Sequence, residues 1–229
     1  MIKKISFTPT GLQLHVIKAV LFLLCLLPAV SLVAGVWQDT LGANPVEALI
    51  HSSGEWALRF LLITLMVTPL RRWLGWPWLI RLRRMLGMFA FVYGAGHFLM
   101  YIWLDQFFDW QAIMLDVLKR PFITAGMTAL LLMLPLALTS NAWSIRRLGG
   151  RRWQALHRSI YVIGIFAVVH YWWLVKADVL RPAIYAGILV VLLGLRIWWR
   201  ELERRRQLTA IPPPPGSFKG KVIRLHPKP

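Results

Sequence analysis

Long apolar blocks alternate with short polar segments along most of the chain. A helix needs about 20 largely apolar residues to cross the hydrocarbon core of a bilayer, and several blocks reach that length. A soluble domain would instead mix apolar and polar residues at the period of a helix or a strand. The pattern therefore predicts an all-α, polytopic membrane protein.

Six transmembrane helices are predicted, which together would form a six-helix bundle. The first contains Pro28, an expected kink, and the second is expected to end at Pro69. In chain order, the predicted spans run from about Val16 to Trp37, Glu55 to Thr68, Met85 to Leu104, Phe122 to Thr139, Trp153 to Leu174 and Pro182 to Trp199.

Arginine-rich segments between the spans indicate the orientation. The segment between spans two and three and the segment between spans four and five are both rich in arginine. The loop between spans one and two has Asp39 and Glu47 but no lysine or arginine. The positive-inside rule therefore places both termini in the cytoplasm. Residues 1–15 are then a cytoplasmic N-terminus, residues 16–206 the transmembrane domain, and residues 207–229 a basic, proline-rich cytoplasmic tail without stable structure.

Composition narrows the function classes. Hydrophobic residues make up 58% of the 229 positions, and the formal net charge is +18. The basic residues are scattered between spans, which indicates contact with membrane lipid headgroups and argues against nucleic acid as a partner. The single cysteine, Cys25, cannot form an intrachain disulfide and by itself makes no metal site.

Two histidines are expected at similar depth, toward the outer side of the bundle. His97 lies past the midpoint of span three, and His170 lies near the outer end of span five. Two imidazoles from facing helices are what haem-iron ligation from opposite sides requires. Gly94, one helical turn before His97, would let a flat macrocycle approach the backbone. The alternative is that these histidines only form hydrogen bonds between helices.

A second haem is a further hypothesis, with His157 at the cytoplasmic start of span five as a ligand and its partner ligand unidentified. On one continuous helix, His157 and His170 would be roughly 20 Å apart and would point about 140° away from each other. His15 and His51 are additional candidates, although an interfacial role suits both. Guanidinium groups bind propionates and phosphates well. Candidate contacts for haem propionates or a flavin phosphate are therefore Arg83, Arg84, Arg151 and Arg152. The same arginines also help to set the orientation of the chain in the membrane.

Three function classes follow from these residues. The leading one is a membrane electron-transfer subunit. The second is a transporter or proton relay that uses the intramembrane histidines. Acidic residues are nearly absent from the spans, and Glu55 lies at an edge. This scarcity disfavours the transporter or proton-relay hypothesis. The third is a structural anchor for a partner.

Several segments together resemble the MsrQ family of ferric-reductase-like transmembrane proteins, from the first span to Arg206. The matching segments are Asn44-Pro-Val-Glu47, His51-Ser-Ser-Gly54, Thr68-Pro-Leu70, Arg81-Leu-Arg-Arg-Met-Leu-Gly87, Gly96-His97 through Tyr101, Arg152-Trp-Gln-Ala-Leu-His157 with Tyr161, and His170-Tyr-Trp-Trp-Leu-Val-Lys176. The proline-rich tail departs from the family pattern.

The resemblance implies a haem-binding, multi-pass subunit in the bacterial inner membrane. Such a subunit pairs with a periplasmic molybdopterin enzyme that reduces methionine sulfoxide in oxidised proteins. Its electrons would come from the quinone pool or from a cytoplasmic flavin reductase. The implied cofactors are haem b, one or two copies, and FMN. The implied haem ligands are His97, His157 and His170, and His51 also matches a family position.

Overall fold

The computed structural model describes residues 8–175 and 177–209, and the secondary structure of this part is helical throughout. The all-α prediction is therefore confirmed. The helices are α1 (Gly11–Trp37), α2 (Pro45–Leu74), α3 (Arg83–Met100), α4 (Trp110–Lys119), α5 (Pro121–Leu138), α6 (Ala142–Leu148), α7 (Gly150–His157), α8 (Ile160–Leu174) and α9 (Leu180–Thr209). A 3₁₀ turn, Pro77–Arg81, precedes α3, and a π-helical turn, Tyr101–Asp105, follows it.

The long helices α1, α2, α3, α5, α8 and α9 run alternately in opposite directions, so their connections gather at two ends. We call one the acidic end; it holds the α1–α2, α3–α5 and α8–α9 connections, where Asn44, Asp105 and Arg181 border one cavity. The other is the arginine end. There Arg72 of α2 forms an ion pair with Glu203 of α9.

Four stretches of the described residues are long and apolar enough to cross a membrane: Gly11–Trp37, Pro77–Asp105, Pro121–Leu138 and Leu180–Thr209. With the helical fold, they make the chain a polytopic membrane protein. Helix α8 has only 15 residues. Helix α2 is long enough, but polar residues interrupt it. The count of six spans, and the cytoplasmic location of both ends, stay predictions.

Helix boundaries differ from the sequence-based ones in two places. Helix α2 begins at Pro45 and continues through Pro69 to Leu74, so the expected end at Pro69 is wrong. The helix ends at Gly75, whose φ of 70° suits glycine. The fifth span is not one helix, because α7 ends at His157 and α8 begins at Ile160. The 140° angle expected between His157 and His170 assumed an unbroken helix and does not apply.

Helices α1 and α9 extend beyond the predicted spans. Helix α1 begins at Gly11, inside the segment assigned to the N-terminus, and Thr10 caps it together with Gln13. Helix α9 continues to Thr209, three residues into the predicted tail. The remainder of that tail, residues 210–229, lies outside the described residues.

A tyrosine hydroxyl binds α1 to α3 beside Pro28. The Tyr93 hydroxyl donates to the carbonyl of Cys25 over 2.8 Å and accepts from the amide of Ala29 over 3.0 Å. Helix proline lacks an N–H, and a polar side chain can satisfy backbone groups near it. In an apolar environment this contact fixes α1, most of whose surface faces outward, against the rest of the bundle.

Helix α2 lies at the centre of the bundle and packs on α1, α3, α8 and α9. Leu61, Leu65 and Ile163 are almost fully buried there. Gly164 lets α9 approach α8 closely, because a Cβ at this position would lie 3.1 Å from Leu189. The packed centre holds α2, α3, α5 and α8 around the cavity described next.

Candidate haem site

A cavity of about 720 Å³ opens at the acidic end, and α2, α3, α5 and α8 form most of its wall. This volume lies within the usual range for cofactor and ligand sites. His97 of α3 and His170 of α8 both line it. The structure therefore brings together the two histidines that the sequence paired by depth.

Both imidazoles are oriented by a backbone carbonyl of a neighbouring helix. The Nδ1 atom of His97 lies 2.8 Å from the carbonyl oxygen of Ile50 in α2. The Nδ1 atom of His170 lies 2.6 Å from the carbonyl oxygen of Phe122 in α5. A carbonyl oxygen only accepts, so each Nδ1 carries the hydrogen and each Nε2 keeps its lone pair. This is the arrangement of a metal-ligating histidine whose second nitrogen is held by the protein.

A glycine makes room for each ring. A Cβ on Gly54 would lie 2.9 Å from two atoms of the His97 ring, and a Cβ on Gly126 would lie 2.7 Å from Nδ1 of His170. Each glycine follows the residue whose carbonyl accepts the imidazole hydrogen bond by one helical turn, Gly54 after Ile50 and Gly126 after Phe122. Each histidine, with its carbonyl partner and its glycine, is therefore positioned in the same way on a different helix pair. His97 lies between α3 and α2, and His170 lies between α8 and α5.

The spacing of the rings fits one iron between them. Their centres are 6.0 Å apart, and their planes make an angle of 76°. A metal–imidazole bond is about 2 Å long and a ring centre lies about 1.2 Å from its nitrogen, so opposed ligands of one metal have ring centres about 6.4 Å apart. The pair, the glycine clefts and the size of the cavity all suit a haem.

Apolar side chains form the cavity wall, and cations stand at its mouth. Leu58, Leu130 and Met133 line the wall, as a flat apolar macrocycle would require. Arg120 and Arg181 line the same cavity at the acidic end. Guanidinium groups bind carboxylates, so both arginines are placed to contact the propionates of a haem in this cavity.

Arg120 is itself held in place. Its Nε lies 3.1 Å from Oδ1 of Asp116, and the Tyr101 hydroxyl donates to Oδ2 of the same carboxylate over 3.1 Å. Asp116 therefore connects α4 to the end of α3 beside the cavity. Neither arginine is among the site residues predicted from the sequence. Arg120 lies between α4 and α5 and Arg181 in the first turn of α9, and only folding brings both to the mouth.

A second polar cluster lies in the wall between α2 and α9. Arg59 donates from Nη2 to Oε1 of Glu55 over 2.7 Å and from Nε to the Tyr185 hydroxyl over 2.9 Å. That hydroxyl donates to the same Glu55 oxygen over 2.8 Å. Glu55 had been assigned to the edge of a span, but it lies ten residues inside α2, paired rather than isolated.

His51 and His15 lie apart from the ring pair. His51 lines the cavity near its mouth, with its side chain half exposed and Nδ1 4.0 Å from Oε1 of Glu47. His15 is exposed on α1, and its Nδ1 lies 2.7 Å from the carbonyl oxygen of Gly11.

The remaining candidates gather at the arginine end, away from the cavity. The Nε2 atom of His157 lies 3.0 Å from the Thr139 hydroxyl, and its ring stacks on Trp153 with centres 3.9 Å apart. Arg83 is partly buried and interacts electrostatically with His157. The exposed side chains in this group are Arg84, Arg151 and Arg152. The roles suggested for these residues remain predictions.

Gly94 has a smaller part than expected. It lines the cavity, but an added Cβ would make only ordinary contacts, 3.8 Å to Leu130 and 3.9 Å to Ala57. Among the glycines that line the cavity, those with close contacts are Gly54 and Gly126. A signal for them was present, because each stands in a helical segment where glycine is costly without a packing reason.

These features define a helical membrane protein with a paired-histidine candidate haem site. Comparison with known proteins agrees with this class. Residues 53–168 match the family model described as the ferric reductase like transmembrane component. This stretch begins just before Gly54 and includes His97, but it ends two residues before His170.

Curated relatives narrow the class further. A protein of Azospira oryzae is 59% identical over 202 residues, which cover 88% of this chain and 85% of the relative. One from Herminiimonas arsenicoxydans is 48% identical, covering 88% and 93%, and one from Rhodospirillum rubrum is 53% identical, covering 77% and 85%. Each is named MsrQ, the haem-binding subunit of protein-methionine-sulfoxide reductase. The chain belongs to the MsrQ family. No solved structure matches it.

Proposed function

We propose that the chain is the haem-binding membrane subunit of a protein-methionine-sulfoxide reductase and passes electrons to its catalytic partner. The observation that carries the proposal is the pair formed by His97 and His170. Their ring centres are 6.0 Å apart, and each Nδ1 is held by a backbone carbonyl while Nε2 keeps its lone pair. The names of the relatives support the same assignment.

In this proposal His97 and His170 would hold the iron of haem b through Nε2, since each Nδ1 is engaged by a backbone carbonyl. The backbone carbonyls of Ile50 and Phe122 fix the ring orientations, and Gly54 and Gly126 provide the space. Arg120 and Arg181 line the same cavity and would be available to pair with the haem propionates. The bound haem supplies one-electron chemistry. Reduction of a methionine sulfoxide to methionine and water takes two electrons and two protons, so each turnover of the partner requires two transfers.

The direction of transfer follows from the charge distribution. Arginines concentrate at one end, which the positive-inside rule assigns to the cytoplasm, so the cavity faces the periplasm of a bacterial inner-membrane protein. The proposed acceptor is a periplasmic molybdopterin-containing reductase that forms a heterodimer with this chain. The proposed donor is the quinone pool or a cytoplasmic flavin reductase.

The arginine end is the proposed entry side. His157 is a candidate ligand of a second haem, and Arg83, Arg84, Arg151 and Arg152 are candidate contacts for a flavin phosphate of FMN. The separation of these residues from the cavity supports two sites rather than one. The Nε2 atom of His157 is hydrogen-bonded to the Thr139 hydroxyl. Coordination of an iron by this nitrogen would therefore have to replace that hydrogen bond.

The test is spectroscopy of the purified protein, produced with adequate haem supply. We expect a Soret band and b-type bands that dithionite sharpens, and reoxidation when the methionine sulfoxide reductase subunit and a sulfoxide substrate are added. A pyridine haemochrome assay counts the haems, and its repetition on His157→Ala decides whether a second haem depends on this residue. A haem-free protein that still inserts into membranes would refute the proposal.

A further inference from the structure

Two adjacent phenylalanines at the acidic end are exposed on a strained backbone. Phe107 and Phe108 have φ values of 47° and 62°, a left-handed conformation that side chains with a Cβ rarely adopt. Their side chains are 79% and 52% exposed. The turn is nevertheless well defined, since the amide of Phe108 donates to the carbonyl of Ile102 over 2.9 Å. The fold therefore presents two exposed aromatic rings on a backbone conformation that is unfavourable for them.

Phe107 also lines the cavity that holds His97 and His170. One side chain therefore belongs both to the cavity wall and to the outer surface. A protein that covers Phe107 would contact the wall of the proposed haem site directly. Exposed aromatic residues at the centre of a contact surface often carry much of its binding energy.

The charge around this turn differs from that of the chain as a whole. Asp105 and Asp109 flank the two phenylalanines, and both are exposed. Among the described residues of the acidic end, the acidic ones are Asp39, Glu47, Asp105, Asp109, Asp116 and Asp178, and the basic ones are Lys119, Arg120 and Arg181. The whole chain carries +18. An acidic surface on so basic a protein favours a partner with basic residues at the contact.

The flanking carboxylates also distinguish a protein partner from lipid. Aromatic anchors that insert into anionic membranes are usually accompanied by lysine or arginine, which the headgroups attract. Asp105 and Asp109 would be repelled by such headgroups.

We propose that the surface formed by Asp105, Phe107, Phe108 and Asp109 is where the catalytic reductase subunit docks. This subunit would present basic residues around an apolar recess that receives Phe107. The inference rests on the proposed function and adds to it the place of contact and the chemistry of the partner surface.

The test uses Phe107→Gly and Phe107→Asn in the full chain loaded with haem. Both residues tolerate positive φ, so we expect the variants to fold, with a melting temperature equal to or above that of the parent. In stopped-flow experiments the dithionite-reduced protein is mixed with the oxidised reductase subunit of the same organism. We expect the second-order rate constant to fall by about tenfold or more. The ferricyanide control uses Phe108→Gly, because the Phe108 side chain is not among those that line the cavity. Its rate with the reductase should fall as well, whereas its oxidation by ferricyanide, a small ion that needs no docking surface, should be unchanged.

Two further variants sharpen the result. Trp37→Ala removes a side chain that is 91% exposed at the same end, and it should leave the rate with the reductase unchanged. The rate of the parent protein should fall as salt is added. Asp105→Asn combined with Asp109→Asn should slow the reaction at low salt and flatten this dependence.

Three outcomes would overturn the docking surface. The first is an unchanged rate with the reductase in both Phe107 variants. The second is a rate that rises with salt in the parent protein. The third is a loss of rate in lipid nanodiscs that is absent in detergent, which would assign the phenylalanines to lipid contact. Absence of haem, or of any reaction between the parent protein and the reductase, would instead refute the proposed function.

Discussion

The imidazole rings of His97 and His170, on α3 and α8, lie with their centres 6.0 Å apart across the cavity. Neither ring is positioned by its own helix alone. Each is bonded to a carbonyl of the adjacent helix and packed on a glycine one turn further along that helix. The relationship between the two residues therefore depends on the packing of α2 on α3 and of α5 on α8, and it can be tested at positions that do not contact iron.

Gly54→Ala and Gly126→Ala are expected to displace the rings. The added Cβ atoms would lie 2.9 Å and 2.7 Å from ring atoms, closer than real contacts allow. Overpacking of this kind costs about 1–3 kcal/mol, and here it moves a ligand. We expect a reduced low-spin haem signal in electron paramagnetic resonance. Gly96→Ala is the matched control, because nothing lies within 4 Å of its Cβ position. A full low-spin signal in both variants would contradict this account of the glycines.

Arg120→Gln and Arg181→Gln are expected to lower the midpoint potential of the haem. Loss of a positive charge near the propionates makes addition of an electron less favourable, by an amount on the order of tens of millivolts. Potentiometric titration of the absorbance spectrum measures the shift. Lys119→Gln removes the same charge beside Arg120, from a side chain outside the cavity lining, and should shift the potential less. Equal shifts in all three variants would point to a general surface effect.

Glu55 and Arg59 are expected to be energetically coupled. Glu55→Gln and Arg59→Met each remove one partner of an ion pair in the bundle wall, whereas the double variant removes both. A coupling free energy of about 0.5–3 kcal/mol is expected, so that the double variant is more stable than the sum of the single effects predicts. Thermal unfolding in detergent gives the change in stability of the two single variants and of the double variant. Additive effects would show that the pair contributes no specific interaction.

Tyr93→Phe should destabilise the attachment of α1. The variant removes the hydroxyl that contacts both Cys25 and Ala29, and unsatisfied backbone groups in an apolar environment cost about 1–3 kcal/mol. Because the ring remains, packing against Phe60 is retained. We expect a lower melting temperature with unchanged haem content per folded protein. An unchanged melting temperature would show that α1 closes its own hydrogen bonds at Pro28.

Hydropathy and the histidine positions predicted a large part of this structure. The apolar blocks located the long helices, and depth within them paired His97 with His170. What could not be read from the chain depends on contacts between helices. Pro69 did not end α2, because a packed neighbourhood can tolerate a proline inside a helix.

The supporting residues of the site were harder to predict. Gly54 and Gly126 were missed and Gly94 was chosen, because sequence separation along α3 does not reveal which neighbouring helix faces a histidine. Arg120 and Arg181 were missed for a related reason: they lie far apart in the sequence, between α4 and α5 and in the first turn of α9, and line the same cavity only in the folded chain. Glu55 was placed at a span edge because the N-terminal extension of α2 to Pro45 was not foreseen.

The central claim is that His97 and His170 ligate one haem iron. Its most direct test is electron paramagnetic resonance of His97→Gly and His170→Gly, with and without added imidazole, and with His15→Ala and His51→Ala as controls. We predict that each glycine variant loses the low-spin signal of one haem, that imidazole restores it by occupying the vacated space, and that the controls keep it. An unchanged low-spin signal in both glycine variants would contradict the claim.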